Sequence, residues 1–472
     1  MNIIQAIDDN NLLGPLFKNP ATWQAWRVYL KSLFGLPIED RAERRLFKQC
    51  TGLKRPRGGQ AKESFVICGR RSGKSFISAV VAVYLACFRD WRPFLAKGEV
   101  GHVFIIATDR LQARIIKNYI SGILASGPIL KNMIKADYKE SIELKNDITI
   151  TIKTASFRGL RGYTLVAAIL EELAFWRSED SANPDKEILA AVRPGLATVE
   201  GSLLLGISTP YSRSGVLWEV FKKYYGQSGG PLIWKAPTTV MNPTIDKNKI
   251  REALRDDPEA ARAEWEADWR SDITSFMPLE AIEACVIPGR RELPKIEGAY
   301  YSAFIDPSGG RQDSFTLGIA HTDENGKIIL DVIRERVPPF RPEAVCEEFA
   351  AIIKSYQIFD AWSDKYAGEW VTDSFRKFGI GILPCEKSAS ELYLEFIPEI
   401  MQGNVELLDN KRLINQLSSL ERRTRAAGKD LISHFPGGHD DLANAVAGAC
   451  VKARQYCEPR ITVIDVDVRR FF

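Results

Sequence analysis

Apolar and polar positions along the chain follow two periods, and the chain divides where the period switches. Over residues 1–50 the spacing is helical, with Trp23, Trp26, Tyr29, Leu30 and Leu33 in register. A basic stretch with glycine and proline, Lys54 to Gly59, then reads as a loop. Short apolar runs at 64–68, 102–108, 148–154, 165–170 and 203–208 predict strands, and longer patterns at 74–90 and 111–124 predict helices. Strands taking turns with helices imply a mainly parallel sheet with helices on both faces. Residues 211–270 are aromatic, charged and helix-rich without a strong strand pattern; within them Asp257-Pro258-Glu259 is a good helix start. Residues 271–297 carry Pro278, Pro288 and Pro294 amid mixed polarity and suit a linker. The strand pattern then resumes at 300–305, 315–321 and 327–334, the last two joined by the turn Asp323-Glu324-Asn325-Gly326. A helix at 342–356, a strand at 359–363, a helix at 369–378 and a strand at 380–385 follow, with helices to the end. The expected divisions are a helical segment (1–50), an α/β core (51–210), a helical lid or coupling subdomain (211–270), a linker (271–297) and a second α/β domain (298–472).

Composition narrows the class. At 472 residues the chain exceeds one ordinary core, and 45% apolar with 26% charged side chains is the make-up of a folded soluble protein. Net charge is only +4, from 64 basic and 60 acidic residues, so a nucleic-acid partner has to be met by local basic patches. The eight cysteines are scattered without a CxxC pair and read as reduced core thiols, not as a disulfide or zinc framework. Four histidines spread along the chain argue against a histidine-based metal site. No signal peptide is expected, since no basic region followed by an apolar stretch stands at residue 1. The longest apolar run, 77–88, is too short for a bilayer, and no membrane association is expected.

Candidate chemistry begins at Cys68-Gly69-Arg70-Arg71-Ser72-Gly73-Lys74-Ser75, between the first strand and its helix. Amides at a helix N-terminus, helped by the helix dipole, cradle phosphates. Lys74 would reach the β- and γ-phosphates and the Ser75 hydroxyl would hold Mg²⁺. Cys68 stands where the usual G-x-x-x-x-G-K-[ST] pattern has glycine. A Gly-Lys-Ser turn before a buried helix is the plainer alternative, against which the flanking strand and helix weigh. The apolar 165–170 run ends in Glu171-Glu172, which would place Glu171 on the Mg²⁺, where aspartate is usual, and Glu172 beside the attacking water as general base. The 203–208 run ends at Ser208-Thr209-Pro210, whose hydroxyls can touch the γ-phosphate or the water; alone it is a common turn.

Three further acidic positions, the last of them a pair, mark the second half. Asp306 and Asp364 end strands, and Asp440-Asp441 opens an apolar helix containing Leu442, Ala445, Val446, Ala449 and Cys450. Alone, each fits a turn, a surface residue or a helix cap. Converging, they can hold two Mg²⁺ or Mn²⁺ ions about 4 Å apart, the arrangement of a metal-dependent nuclease. Which of Asp440 and Asp441 binds metal stays open, and Asp313 is an accessory candidate. The run Glu421-Arg422-Arg423-Thr424-Arg425-Ala426-Ala427-Gly428-Lys429 reads as a loop that either meets DNA phosphates or is merely solvated.

In order and spacing, Gly-Arg-Arg-Ser-Gly-Lys-Ser, the strand ending Glu-Glu, Ser-Thr-Pro, Asp306, Asp364 and Gly-His-Asp-Asp-Leu resemble the large terminase subunit of tailed bacteriophages. The resemblance spans nearly the whole chain except the N-terminal helices and the C-terminal tail. It implies an α/β fold, a P-loop NTPase domain followed by an RNase H-like nuclease domain, and an ATP-driven double-stranded DNA translocase. Such a protein packages viral DNA into a procapsid and cuts the concatemer, using ATP with Mg²⁺ and two Mg²⁺ or Mn²⁺ ions in the nuclease site. Gly69, Arg71, Ser72, Gly73 and Thr209 would then line the nucleotide, with Gln24 reading the adenine. Arg70 would stabilise charge at the γ-phosphate, and Arg158 and Arg161 would act on a neighbouring subunit's nucleotide or on DNA. Which of the three is the arginine finger stays open. The implied partners are duplex DNA, a portal protein, a small terminase subunit and further copies in a ring, pentameric when engaged. The implied location is the host cytoplasm and, transiently, the procapsid portal, not the mature virion. Rival readings are a helicase-nuclease of DNA repair and a non-catalytic P-loop assembly protein.

Overall fold

The structure, a computed structural model, describes residues 1–155, 159–176, 181, 183–310, 313–364, 369–423, 430–435 and 438–455. The chain forms two compact units, one of Met1–Ser178 with Asn183–Thr274, the other chiefly Ser275–Phe472.

The first unit is built on an eight-stranded sheet in the order Ile134–Asp137, Ser141–Leu144, Ile148–Thr154, Gly101–Ala107, Thr164–Glu171, Leu203–Ser208, Glu63–Cys68, Leu232–Ala236. From Ile148–Thr154 onward every neighbouring pair is parallel. Parallel strands are covered on both faces, so their sequences are continuously apolar. Val66 enters one apolar cluster with Ile77 and Val80 of the Lys74–Cys87 helix. Its neighbours Phe65 and Ile67 enter another with Ile188 and Val192 of the Pro184–Ala197 helix. Trp26, Tyr29, Leu30 and Leu33 of the Gln24–Leu33 helix are buried in the first of these clusters.

Two departures from the sequence expectation are instructive. Leu232–Ala236 lies in the stretch read as strandless, yet it pairs in parallel with the Glu63–Cys68 strand. It is short, and Lys235 interrupts its apolar run, which hid it. The hairpin of Ile134–Asp137 and Ser141–Leu144 lies at the edge of the sheet, with Lys135 and Asp137 exposed and Glu143 half-buried; charges are common on such edges and mask the strand signal.

The second unit carries a seven-stranded sheet, Val286–Ile287, Val405–Leu408, Ile328–Arg336, Phe315–Thr322, Tyr301–Asp306, Asp360–Ser363, Gly381–Pro384. Its core is an antiparallel meander of three consecutive strands, with Asp360–Ser363 added in parallel to Tyr301–Asp306 and Gly381–Pro384 beyond it. This is the RNase H-like arrangement that the order of elements predicts. The stretch read as a linker is instead part of this unit's core: Phe276, Met277, Ile282 and Cys285 are buried. Pro278 precedes the Leu279–Cys285 helix, where proline starts an element and does not mark a tether.

The Asp441–Gln455 helix is buried from Leu442 to Ala453. Two glycines let it approach the sheet closely. A Cβ on Gly318 would stand 2.7 Å from the Ala445 carbonyl oxygen, and one on Gly448 would overlap the Phe304 ring. That seating fixes where the acids at the head of the helix emerge. Among the described residues no helix is long and apolar enough to cross a membrane.

Candidate functional sites

In the first unit the Glu63–Cys68 strand turns sharply into the Lys74–Cys87 helix, with Arg71 (φ 61°) and Gly73 (φ 92°) in the left-handed region. Gly73 is required twice over, because a Cβ there would also stand 3.2 Å from the Trp23 ring. Side chains from elsewhere in the unit tie the turn down. Trp26 Nε1 donates to Ser72 O (2.6 Å), Thr238 Oγ1 to Arg70 O (2.8 Å) and Asn242 Nδ2 to Arg71 O (2.8 Å). Gly69 faces Thr238 so closely that a Cβ would overlap its hydroxyl oxygen. Cys68 is buried, with its sulfur 3.3 Å from Ser72 Oγ.

The sheet order places Leu203–Ser208 between the strand before this turn and the strand ending at Glu171, so three strand ends converge. Lys74 Nζ donates to Thr209 Oγ1 (2.7 Å), Gly69 O (3.2 Å) and Cys68 O (3.3 Å), and lies 3.5 Å from Glu172 Oε1. Ser75 Oγ donates to Glu171 Oε2 at 3.1 Å. Glu172 occupies the left-handed region (φ 52°), uncommon for a residue with a side chain. Its backbone N–H donates to Ile207 O (2.8 Å), and its Oε2 accepts from Thr209 N (3.2 Å) and Ser208 Oγ (3.3 Å).

Burial pushes the Glu171 carboxyl up to about 7, with the Glu172 charge adding to the effect, and its Oε1 is buried without a hydrogen-bond partner. Lys74 offsets this burial only in part, and an acid held this way suits a divalent cation, which adds positive charge. It also makes a stability prediction. Between about pH 4.5 and 7 the folded chain keeps a proton that the unfolded chain releases, so stability falls as pH rises through that window and levels off above it. The cost at high pH is about 3 kcal/mol. Glu171→Gln is expected to melt several degrees higher than the parent at pH 8 and no higher at pH 4, in thermal scans without nucleotide.

Other residues expected at this site are placed differently. Gln24 is exposed and its amide donates to Glu43 Oε1 (3.3 Å), although its neighbour Trp23 lies against Gly73. The Arg70 side chain is exposed, with Nε 3.3 Å from Glu264 Oε1, and its backbone N–H donates to Glu264 O. Arg161 is not brought to the loop. It precedes Thr164, which pairs with Gly101 at the far end of an eight-residue strand from Glu171, a separation of roughly 23 Å. Arg161 is exposed beside the buried Leu160, and Lys153 Nζ donates to Gly159 O (2.6 Å) in the same loop. Arg158 lies outside the described residues.

In the second unit Asp306 ends its strand, and Ile305 pairs with Ser363, so Asp364 leaves the adjacent strand end. Asn444 Nδ2 donates to Asp306 Oδ2 at 2.8 Å, tying the last helix to this strand. Asp441 Oδ2 accepts from Ser314 N (3.0 Å), and Thr316 Oγ1 donates to Asp441 O (2.7 Å). Asp440 Oδ2 accepts from Tyr393 OH (3.2 Å), and His434 Nε2 lies 3.8 Å from its Oδ1. Burial holds the Asp306 carboxyl well above the usual range; Asn444 opposes this, and the charges of Asp441, Asp364 and Asp440 add to it. Burial likewise pushes Asp441 up to about 6. The four acids read from sequence therefore share one electrostatic neighbourhood, whose crowded negative charge either protons or a divalent cation would relieve.

Asn444 was not anticipated. It is buried, its Oδ1 has no hydrogen-bond partner, and its place four residues after Asp440 and three after Asp441 puts it on their helix face. That spacing was the available signal. His439 lies beside the same helix start: its Nδ1 is 3.6 Å from Asp313 Oδ1 and 3.9 Å from Asp441 Oδ2. The basic run before the third acid is not wholly a loop. Glu421–Arg423 is a strand antiparallel to Leu431–Ser433, while 424–429 and Gly437 lie outside the described residues.

No family model and no curated protein matches the chain. Among solved structures, the large terminase of bacteriophage HK97 aligns over 91% of this chain and 99% of its own, at 15% identity and a TM-score of 0.38. The large terminase of a thermophilic bacteriophage aligns over 90% and 97%, at 13% identity and a TM-score of 0.39. The large terminase nuclease of the thermophilic phage G20c with bound magnesium aligns over 36% of this chain and 94% of its own, at 16% identity and a TM-score of 0.31. The solved structures similar to this chain over most of its length are large terminases from several phages.

Proposed function

We propose that the chain is an ATP-driven double-stranded DNA translocase with a metal-dependent endonuclease, acting as the large subunit of a viral packaging motor. The observation that carries the reading is the pair of convergent sites, each at the strand ends of its own sheet: Lys74, Ser75, Glu171, Glu172 and Thr209 in one, Asp306, Asp364, Asp440 and Asp441 in the other.

In the first site Lys74 carries the positive charge for the β- and γ-phosphates of ATP, and the loop amides of Gly69 and Arg71 to Gly73 cradle them, that of Arg70 being held by Glu264 O. Ser75 and Glu171 would hold the Mg²⁺ of the nucleotide. Glu172, held by Thr209 N and Ser208 Oγ, orients the attacking water and accepts its proton. Thr209 touches Lys74 while its backbone N–H touches Glu172. A change at the γ-phosphate therefore passes to the chain that follows, 211–270, which moves DNA. Arg70 stabilises phosphate charge from the loop. Arg161, far along its own strand from the loop, serves a neighbouring copy's nucleotide or DNA, as does Arg158. Gln24 would read the adenine after leaving Glu43.

In the second site Asp306, Asp364, Asp440 and Asp441 would hold two Mg²⁺ or Mn²⁺ ions. Bound there, they supply an activated water and a counter-charge for the leaving oxygen. Asn444 keeps Asp306 in place, and Tyr393 does so for Asp440. The partners are duplex DNA gripped by its backbone, a portal protein, a small terminase subunit and further copies in a ring. The working place is the host cytoplasm, at the procapsid portal.

The deciding experiment measures ATP turnover with and without long duplex DNA, Mg²⁺-dependent cutting of plasmid, and displacement of a labelled strand. Stimulated turnover and cutting without strand displacement support the proposal. Strand displacement would move the chain to the helicase-nucleases, and absence of turnover would leave an assembly protein.

A further inference from the structure

We propose that Asp313, His439 and Asp441 form a separate divalent-cation site on the rim of the carboxylate cluster, selective for a first-row transition ion over Mg²⁺; the inference deepens the nuclease reading above and rests on it. Three observations carry it. One ligand atom from each residue lies within 4.8 Å of the other two, and among the described residues this is the one such group of histidine, cysteine and acidic side chains. The closest approaches are 3.6 Å from His439 Nδ1 to Asp313 Oδ1 and 3.9 Å to Asp441 Oδ2, and these must close by roughly 0.2–0.9 Å to share one ion. A cation with ligands at about 2.1 Å sets neighbouring donor atoms roughly 3.0–3.4 Å apart.

The second observation is the placing of the donors. Ser314 N holds Asp441 Oδ2 on the side of Asp313, whereas Asp306 is engaged by Asn444. Asp440 turns the other way, to Tyr393 and His434. The adjacent acids thus face different neighbours. Asp441 stands between the rim pair and the buried cluster.

The third is chemistry. Oxygen donors alone suit Mg²⁺, but an imidazole nitrogen shifts preference toward Mn²⁺, Co²⁺ and the later transition ions. The rim group pairs one nitrogen with two carboxylates, leaving further positions for water or for a phosphate oxygen of DNA. The exposed Asp313 and the partly exposed His439 give an ion direct access from solvent.

Co²⁺ is the probe, read by its visible absorption and by calorimetry on the full-length chain, with Mg²⁺ as competitor. The parent is expected to bind Co²⁺ with a nitrogen-ligand spectrum that a hundredfold excess of Mg²⁺ does not displace. His439→Ala and Asp313→Ala should each weaken that binding more than about tenfold, with circular dichroism unchanged. Asp306→Asn should keep it while losing cleavage. Equal Co²⁺ affinity in the parent and His439→Ala, or ready displacement by Mg²⁺, overturns the rim site. Absence of metal-dependent cleavage in the parent, with the Co²⁺ spectrum intact, overturns the nuclease reading and leaves the rim site standing.

Discussion

Lys74→Ala is expected to lower DNA-stimulated ATP turnover by about a hundredfold or more, the loss typical when one preorganised charge is removed from a transferring phosphoryl group. Plasmid cleavage should stay measurable. Lys74 is 6% exposed and contacts Thr209, Glu172 and two loop carbonyls, so its removal also strips the buried acids of their cation. Some stability loss will accompany the kinetic one. Retained cleavage is therefore the internal control, because it shows that the second unit is folded while the first has lost chemistry. Loss of both activities in a folded variant would mean that the chain does not house two separable engines.

Asp306→Ala should do the reverse, lowering metal-dependent cleavage by at least about a hundredfold while ATP turnover continues. The Asp306 carboxyl is half-buried at its strand end, and its charge is opposed by those of the other three acids. Removing it relieves that repulsion, so the variant is expected to be no less stable than the parent even as it stops cutting. Full plasmid cleavage by Asp306→Ala would remove Asp306 from the site.

Much of this architecture was legible in the residues, for physical reasons. The strands at 63–68, 164–171 and 203–208 are buried on both faces, and such strands advertise themselves as apolar runs. The strand at 148–154 alternates buried and half-buried positions, and its period of two gave it away. Asp306, Asp364 and the Asp440–Asp441 pair were visible because each terminates or opens a strongly patterned element. What escaped was weakly patterned or long-range. Leu232–Ala236 is short and carries Lys235. The prolines at 278–294 imitate a tether although Met277 and Ile282 are fully buried. The pairing of Asn444 with Asp306 spans 138 positions and follows from how the last helix seats on the sheet, which no local pattern encodes.

The close seating of the Asp441–Gln455 helix against Gly318 and Phe304 bears on synthesis. Chains leave the ribosome from the first residue onward, and units fold in that order. Asp306 and Asp364 emerge early, on strands that pair with each other, yet the slab that carries Asp440, Asp441 and Asn444 is among the later segments to appear. On the proposed nuclease reading, a chain lacking that slab would hold Asp306 and Asp364 without Asp440, Asp441 and Asn444, and is expected to leave plasmid uncut.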